Sequence, residues 1–336
     1  FATEGTSEVA VAINILSALC SSFTILFLFW TITAFGRKLF FKDTDYEVGR
    51  IYAVLGAGIV GALAYTFSDS FWFSAVEGEV YAMSSFFTAI TFWCIMKWEQ
   101  EADQPHASRW LVLIAYLIGL SVGVHLLSLL TIPAMGMIYY FKKYESKEAP
   151  IILSNKSAKR FAWVLTLIIA VMTLGVVGVK TAGIGMLLFF PLHYILEKLL
   201  IGLTFGRIKA FVISMAILGV VQGVIIPGAV SLISTFELFF VNTIGLPFNS
   251  GTIIYFLTII AAITFGIIYT KKHNKKVWNT AILGMMMLLI GYSSFAILVI
   301  RSNANPPIDE NNPEDAVGLL SYLKREQYGS WPIVYG

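Results

Sequence analysis

The residues best suited to chemistry in this chain are Asp69, Glu77 and Glu79, carried by SDSFWFSAVEGEVYA at positions 68–82. They stand among aromatic residues, in a chain whose other long segments are almost free of charge. A lone carboxylate at the centre of a bilayer costs roughly 2.5 kcal/mol or more, so acids in such company sit at a membrane face or inside a polar cavity. Glu77 and Glu79 are two residues apart. On a helix they would point about 200° from each other, whereas an extended stretch would put both on one face. The first geometry offers one acid to a cavity; the second offers two. The competing role is structural, because acids that cap or solvate the start of a helix suit the positive end of its dipole.

The elements that must position these acids are apolar helices. The chain has 336 residues, 57% of them hydrophobic and 13% charged, and its mean hydropathy is +0.78. A soluble globular domain carries about 25% charged residues. The expected fold is therefore all-α, a polytopic transmembrane bundle. Apolar runs of spanning length cover 9–35, 51–67, 81–98, 107–140, 161–179, 185–205, 209–226, 229–245, 252–270 and 277–300. Lys and Arg concentrate at 37–50, 97–109, 142–160 and 271–276, and the positive-inside rule places all four segments on the cytoplasmic side. The run 107–140 must then cross twice, turning on the outer side at Gly123 to His125. Five runs lie between Arg160 and Lys271, where parity admits an even number of crossings. Either 229–245 lies flat outside, as GRIK at 206–209 favours, or 185–205 does, as the polar HYILEK at 193–198 favours. Both choices give about ten spans over a transmembrane domain at 1–300. Composition changes sharply after it: 301–336 reads as the start of an extracytoplasmic soluble domain, with an apolar-periodic helix over 316–323. The chain opens at Phe1 without a charged leader and closes in SWPIVYG, and is read as a piece of something longer at both ends.

This topology gathers further polar groups at the outer face. They are His125 in GVHLLSLL, Asn242 and Asn249 around the GLPFNSG turn with Glu237 nearby, and Arg301 with Asn303. His125 at a helical turn either closes a structural hydrogen bond or binds a phosphate or sugar hydroxyl; Gly119 and Gly123 beside it allow the helical pair to pack closely. Arg301 runs against the positive-inside bias, which suits an anionic partner or a headgroup anchor. His106, His193 and His273 are scattered, so no metal site is expected. Cys20 and Cys94 lie inside apolar runs and read as buried thiols. Lys180 snorkels, and the lysines of 271–276 set orientation. No P-loop, GxSxG or HExxH is present, and no basic run interleaved with aromatics points to nucleic acid.

Taken together, FWFSAVEGEVYAMSSFF, GLSVGVHLLSLL, FELFFVNTIGLPFNSG and RSNANPPIDENNPED resemble one family, the bacterial branch of the protein O-mannosyltransferase-like membrane proteins, related to the C-type membrane glycosyltransferases. The resemblance implies a multi-span hexosyltransferase of the bacterial inner membrane with its site on the periplasmic side. The donor it implies is a sugar, mannose-like, on a polyprenyl-phosphate carrier, and the acceptor is a hydroxyl of an exported protein or glycan. It also implies a best-known catalytic acid in the first outer loop, on a segment that would precede Phe1. On this chain the implied roles fall to Glu77 and Glu79 as acids acting on the acceptor hydroxyl. Asp69, His125, Asn242, Asn249, Arg301 and Asn303 are the substrate-binding candidates, with Arg301 and His125 facing the departing lipid phosphate. A transporter or flippase of a lipid-linked substrate, or a non-catalytic membrane scaffold, are the competing classes. Clustering of polar residues at one face, not at mid-bilayer, speaks against transport.

Overall fold

A computed structural model describes residues 6–41, 47–145, 154–177, 182–200 and 203–329. Among them the regular elements are helices and no strand forms. Lys180, part of 142–160 and the closing residues 330–336 lie outside the described residues.

The first helix, α1 (Thr6–Phe40), pairs with α2 (Val48–Thr66), and a short α3 (Asp69–Val76) leads into α4 (Val80–Glu101). α1 and α4 run side by side in the same direction. Phe23 and Phe27 meet Phe86 with ring centroids 6.1 and 6.0 Å apart, and Trp30 meets Trp93 at 5.5 Å. Next come α5 (Ser108–Val122) and α6 (Thr131–Lys143), with a 3₁₀ turn Leu126–Leu130 between them. The out-and-back helical pair expected for 107–140 is present, although its helices, 15 and 13 residues long, are not among the segments of spanning length. Arg109 near the start of α5 reaches Glu101 at 2.8 Å, and Lys143 at the end of α6 reaches the carbonyl of Ala102 at 2.6 Å, so the pair leaves and returns at one end of the bundle.

α7 (Asn155–Val177) and α8 (Ala182–Leu200) pack on each other. They are followed by α9 (Phe205–Val220) and α10 (Ile226–Leu238), and here the structure corrects the sequence reading. The runs 209–226 and 229–245 are not two elements. One unbroken helix covers Phe205–Thr243, 39 residues, with π-helical turns at Val221–Ile225 and Phe239–Thr243. Pro227 and Gly228 lie between the two runs, and Pro lacks the N–H that the carbonyl four residues earlier would accept. The π turn immediately before Pro227 absorbs that defect inside a continuing helix. Among the described residues four helices therefore lie between Arg160 and Lys271, an even number, and neither 185–205 nor 229–245 has to lie flat for that reason. At 1.5 Å per residue this helix is about 58 Å long, against about 30 Å for a hydrocarbon core. Roughly half of it thus extends past one core thickness, and its distal part packs on α11 (Ser250–Lys272) and α14 (Ala316–Lys324).

α12 (Lys276–Tyr292) packs along α5, a 3₁₀ turn leads on into α13 (Ala296–Ser302), and α14 forms where the periodicity of 316–323 predicted it. The seam between α5 and α12 is tight because of a glycine. A Cβ on Gly119 would lie 2.2 Å from the carbonyl oxygen of Leu288, so the glycine serves a contact with α12 and not the α5–α6 pair. The main core joins Ile95, Ile114, Leu117, Leu129, Leu218, Leu288 and Leu319, linking α4, α5, α9, α12 and α14. Leu319 therefore anchors the tail helix in the same apolar core as the bundle. Six helical segments among the described residues are long and apolar enough to cross a membrane: Glu8–Phe40, Val48–Thr66, Val80–Glu101, Phe205–Thr243, Ser250–Lys272 and Lys276–Ser302. The chain is an integral membrane helical bundle. Cys20 and Cys94 are free and buried, as expected for packing thiols.

Candidate functional site

Glu77 and Glu79 lie outside the helices, each with extended backbone, and the chain bends between them. α3 ends at Val76 and α4 begins at Val80, leaving Glu77, Gly78 and Glu79 as a bridge. Glu77 has φ −102° and ψ 149°, and Glu79 has φ −103° and ψ 159°. The chain bends at Glu77 and Gly78, so the strict alternation of a straight strand does not apply, and both carboxylates are carried on one short turn between α3 and α4. Both are exposed, and Glu79 occupies the N-cap position of α4 without its side chain making a capping hydrogen bond. Among the described residues neither acid is in an ion pair. Of the structural roles open to them in the sequence, side-chain capping by Glu79 is absent, while both acids remain exposed beside the start of α4.

The bridge is held down by α1. A Cβ on Gly78 would lie 2.9 Å from Cγ2 of Ile13 and 3.4 Å from Oδ1 of Asn14. Asn14 is exposed and is the one strongly polar side chain within AVAINILSALC, a signal the sequence carried without its use being legible. Asp69 starts α3 one residue after its N-cap Ser68, whose hydroxyl donates instead to the carbonyl of Tyr65 at 2.8 Å; the Asp69 side chain is exposed.

His125 is brought to this region through Tyr81, two residues after Glu79. Their ring centroids are 5.9 Å apart. His125 Nδ1 accepts the backbone N–H of Leu127 at 3.1 Å and caps the 3₁₀ turn, so the ring's proton sits on Nε2 when the imidazole is neutral. One nitrogen is structural, and the other remains a donor.

The second half of the chain treats its polar groups differently. Glu237 is only 3% exposed, and its carboxylate accepts three hydrogen bonds, from Asn249 N (2.6 Å), Thr252 N (2.8 Å) and Thr252 Oγ1 (2.9 Å). It ties the end of α10 to the start of α11, where a Cβ on Gly251 would lie 2.3 Å from the carbonyl oxygen of Phe236. Asn249 is the left-handed residue (φ 69°) that turns the chain into α11, and its side chain is exposed, as is that of Asn242 in the π turn. Asn303 donates through Nδ2 to the carbonyls of Val299 and Glu314, both at 2.8 Å, which commits that amide nitrogen to fastening the tail. Beside it the buried hydroxyl of Ser302 donates to Asp309 at 2.7 Å. Arg301 in the last turn of α13 is exposed, and no ion pair among the described residues engages its guanidinium.

The structure thus connects Glu77, Glu79 and His125, through Gly78 and Tyr81. No hydrogen bond or ion pair among the described residues joins that group to Asn242, Asn249, Arg301 or Asn303. Exposed carboxylates and an imidazole donor are groups able to orient and deprotonate a hydroxyl, and among the described residues they are related only through Tyr81.

Residues 1–148 match a family model described as the Protein O-mannosyl-transferase TMEM260 N-terminal domain. This fits the O-mannosyltransferase-like family expected from the sequence. The matched segment contains Asp69, Glu77, Glu79 and His125, and stops before Asn242, Asn249, Arg301 and Asn303. No curated protein and no solved structure matches the chain.

Proposed function

We propose that the chain is part of an integral membrane mannosyltransferase that moves a sugar from a polyprenyl-phosphate carrier to a hydroxyl of an exported protein or glycan, at the membrane face that bears Glu77 and Glu79. The observation that carries this reading is the Glu77-Gly78-Glu79 bridge, which lies inside the segment matching an O-mannosyltransferase domain and exposes two carboxylates that are in no ion pair among the described residues. One carboxylate positions the acceptor hydroxyl and the other receives its proton as the glycosidic bond forms. His125 Nε2–H and Arg301 supply a hydrogen-bond donor and a positive charge to the departing phosphate. Asp69, Asn242, Asn249 and Asn303 border the substrate through their exposed polar atoms. The positive-inside bias puts this face on the periplasmic side of a bacterial inner membrane.

The test is expression of the full-length protein with a polyprenyl-phosphate-mannose donor and exported-protein acceptors, read by mass spectrometry for added hexose. Transfer that is lost in Glu79→Gln while the protein still folds supports the reading. Absence of transfer from every donor sugar tried sinks it, and substrate-dependent uptake into liposomes without transfer would favour a transporter.

A further inference from the structure

We infer that the turn between α11 and α12, KKHNKK at 271–276, is a binding site for the phosphate headgroups of anionic lipids in the adjoining leaflet. Gly284 lies against Ala115 and Gly119 against Leu288, so α12 runs alongside α5 in the same direction. Its first residues are therefore level with the start of α5, at the end of the bundle where Arg109 meets Glu101. Several cations at that end are paired with carboxylates: Lys38 with Glu99, Arg109 with Glu101, Lys142 and Lys143 with Asp103, and Arg207 with Glu145. Lys271, Lys272, Lys275 and Lys276 are exposed, and no ion pair among the described residues engages any of them. Lys275 rests only on the ring of Tyr269, 5.0 Å from its centroid. The first turn of α12 contains no acid.

The four ammonium groups are carried on a fixed frame. Asn274 is left-handed (φ 54°), its N–H donates to the carbonyl of Lys271 at 3.2 Å, and the N–H of Lys275 donates to that of Thr270 at 2.9 Å. Asn279 Nδ2 closes the turn from the other side, on Thr270 Oγ1 at 3.0 Å. Repulsion among four cations on six residues is relieved by no acid among the described residues, so a negative surface is the complement that remains. The flanking residues set the depth. Trp278 is 66% and Tyr269 41% exposed, aromatic residues of the kind that sit at headgroup level, and Phe265 and Ile268 follow on the apolar side. An aromatic and aliphatic collar around a basic turn fits a bilayer leaflet better than a soluble polyanion.

The test is retention of phosphatidylglycerol by the full-length protein in neutral detergent, counted by native mass spectrometry against phosphatidylcholine. The wild type is expected to retain phosphatidylglycerol selectively and to lose it as salt is raised. Each Lys→Gln substitution at 271, 272, 275 or 276 is expected to weaken retention by about fivefold, while Lys→Arg at all four positions preserves it. Equal retention of the two lipids overturns the assignment, as does a four-site Gln variant that melts like wild type yet retains as much phosphatidylglycerol. Loss of selectivity in the four-site Arg variant also overturns it, as does displacement of the lipid by inorganic phosphate at equal concentration. The Arg variant and the salt titration decide the matter even where the Gln variant fails to fold.

Discussion

The two ends of the bundle use charge in opposite ways. At the end that gathers most of the lysines and arginines, carboxylates knit helices together: Glu99 ties α4 to α1, Glu101 ties α4 to α5, and Asp103 ties the loop after α4 to α6. At the other end the exposed acids Asp69, Glu77 and Glu79 are in no ion pair among the described residues, and the one buried acid, Glu237, is fully occupied by backbone and hydroxyl donors. An exposed ion pair contributes about 0–1 kcal/mol, so the first end uses charge for register and orientation more than for stability. A solvated carboxylate without a partner contributes nothing to folding. That is the difference between a charge held by the fold and one the fold leaves free to act.

This contrast breaks most visibly at Glu237. Replacing it with Ala leaves three part-buried donors without their acceptor, and a loss of about 2 kcal/mol is expected in unfolding measured in detergent. Glu79→Gln should do the reverse, lowering hexose transfer by about two orders of magnitude while changing stability by less than about 0.5 kcal/mol. A large drop in melting temperature would show that Glu79 is structural. His125→Ala removes the cap of the 3₁₀ turn and should cost about 1 kcal/mol, with an additional loss of transfer only if Nε2 meets the substrate.

Smaller effects sharpen the other end. A double-mutant cycle on Lys38 and Glu99 is expected to return a coupling below about 1 kcal/mol that shrinks as salt is raised. Asp103 is held below the usual carboxylate range by hydrogen bonds first from Lys143 and then from Lys142. A depressed folded-state value means that its stabilisation is present above the ordinary Asp value of about 3.9 and is lost as the pH falls through the folded value. Asp103→Asn should therefore melt slightly below wild type at neutral pH, and the gap should close on acidification below about pH 4. A gap that persists in acid would mean that the side chain packs and does not pair.

Much of the fold was legible because it follows from composition and parity. The apolar runs, the out-and-back helical pair of 107–140 with its turn at Gly123 to His125, and the helix at 316–323 all follow from hydropathy, charge placement and periodicity. The split at Pro227 and Gly228 was misread, because a missing N–H signals a helix end locally. Only the chain geometry on both sides shows that a π turn carries the helix through. Glu237 stood out as an acid near a turn, but nothing in its neighbours in sequence reveals that Asn249 and Thr252, more than ten residues on, complete its hydrogen bonds.

What the sequence determined by itself is that the chain is a helical membrane protein and that Asp69, Glu77 and Glu79 stand apart from the apolar segments, since both follow from the cost of placing charge in hydrocarbon. What only the tertiary structure decided is which acids are free. A spacing of two leaves open whether Glu77 and Glu79 are helical, and the structure places both on an exposed bend between α3 and α4, with Gly78 against Ile13 on α1. The same three-dimensional packing occupies Glu237 and Asn303, because a hydrogen bond depends on distance in space and not on spacing along the chain.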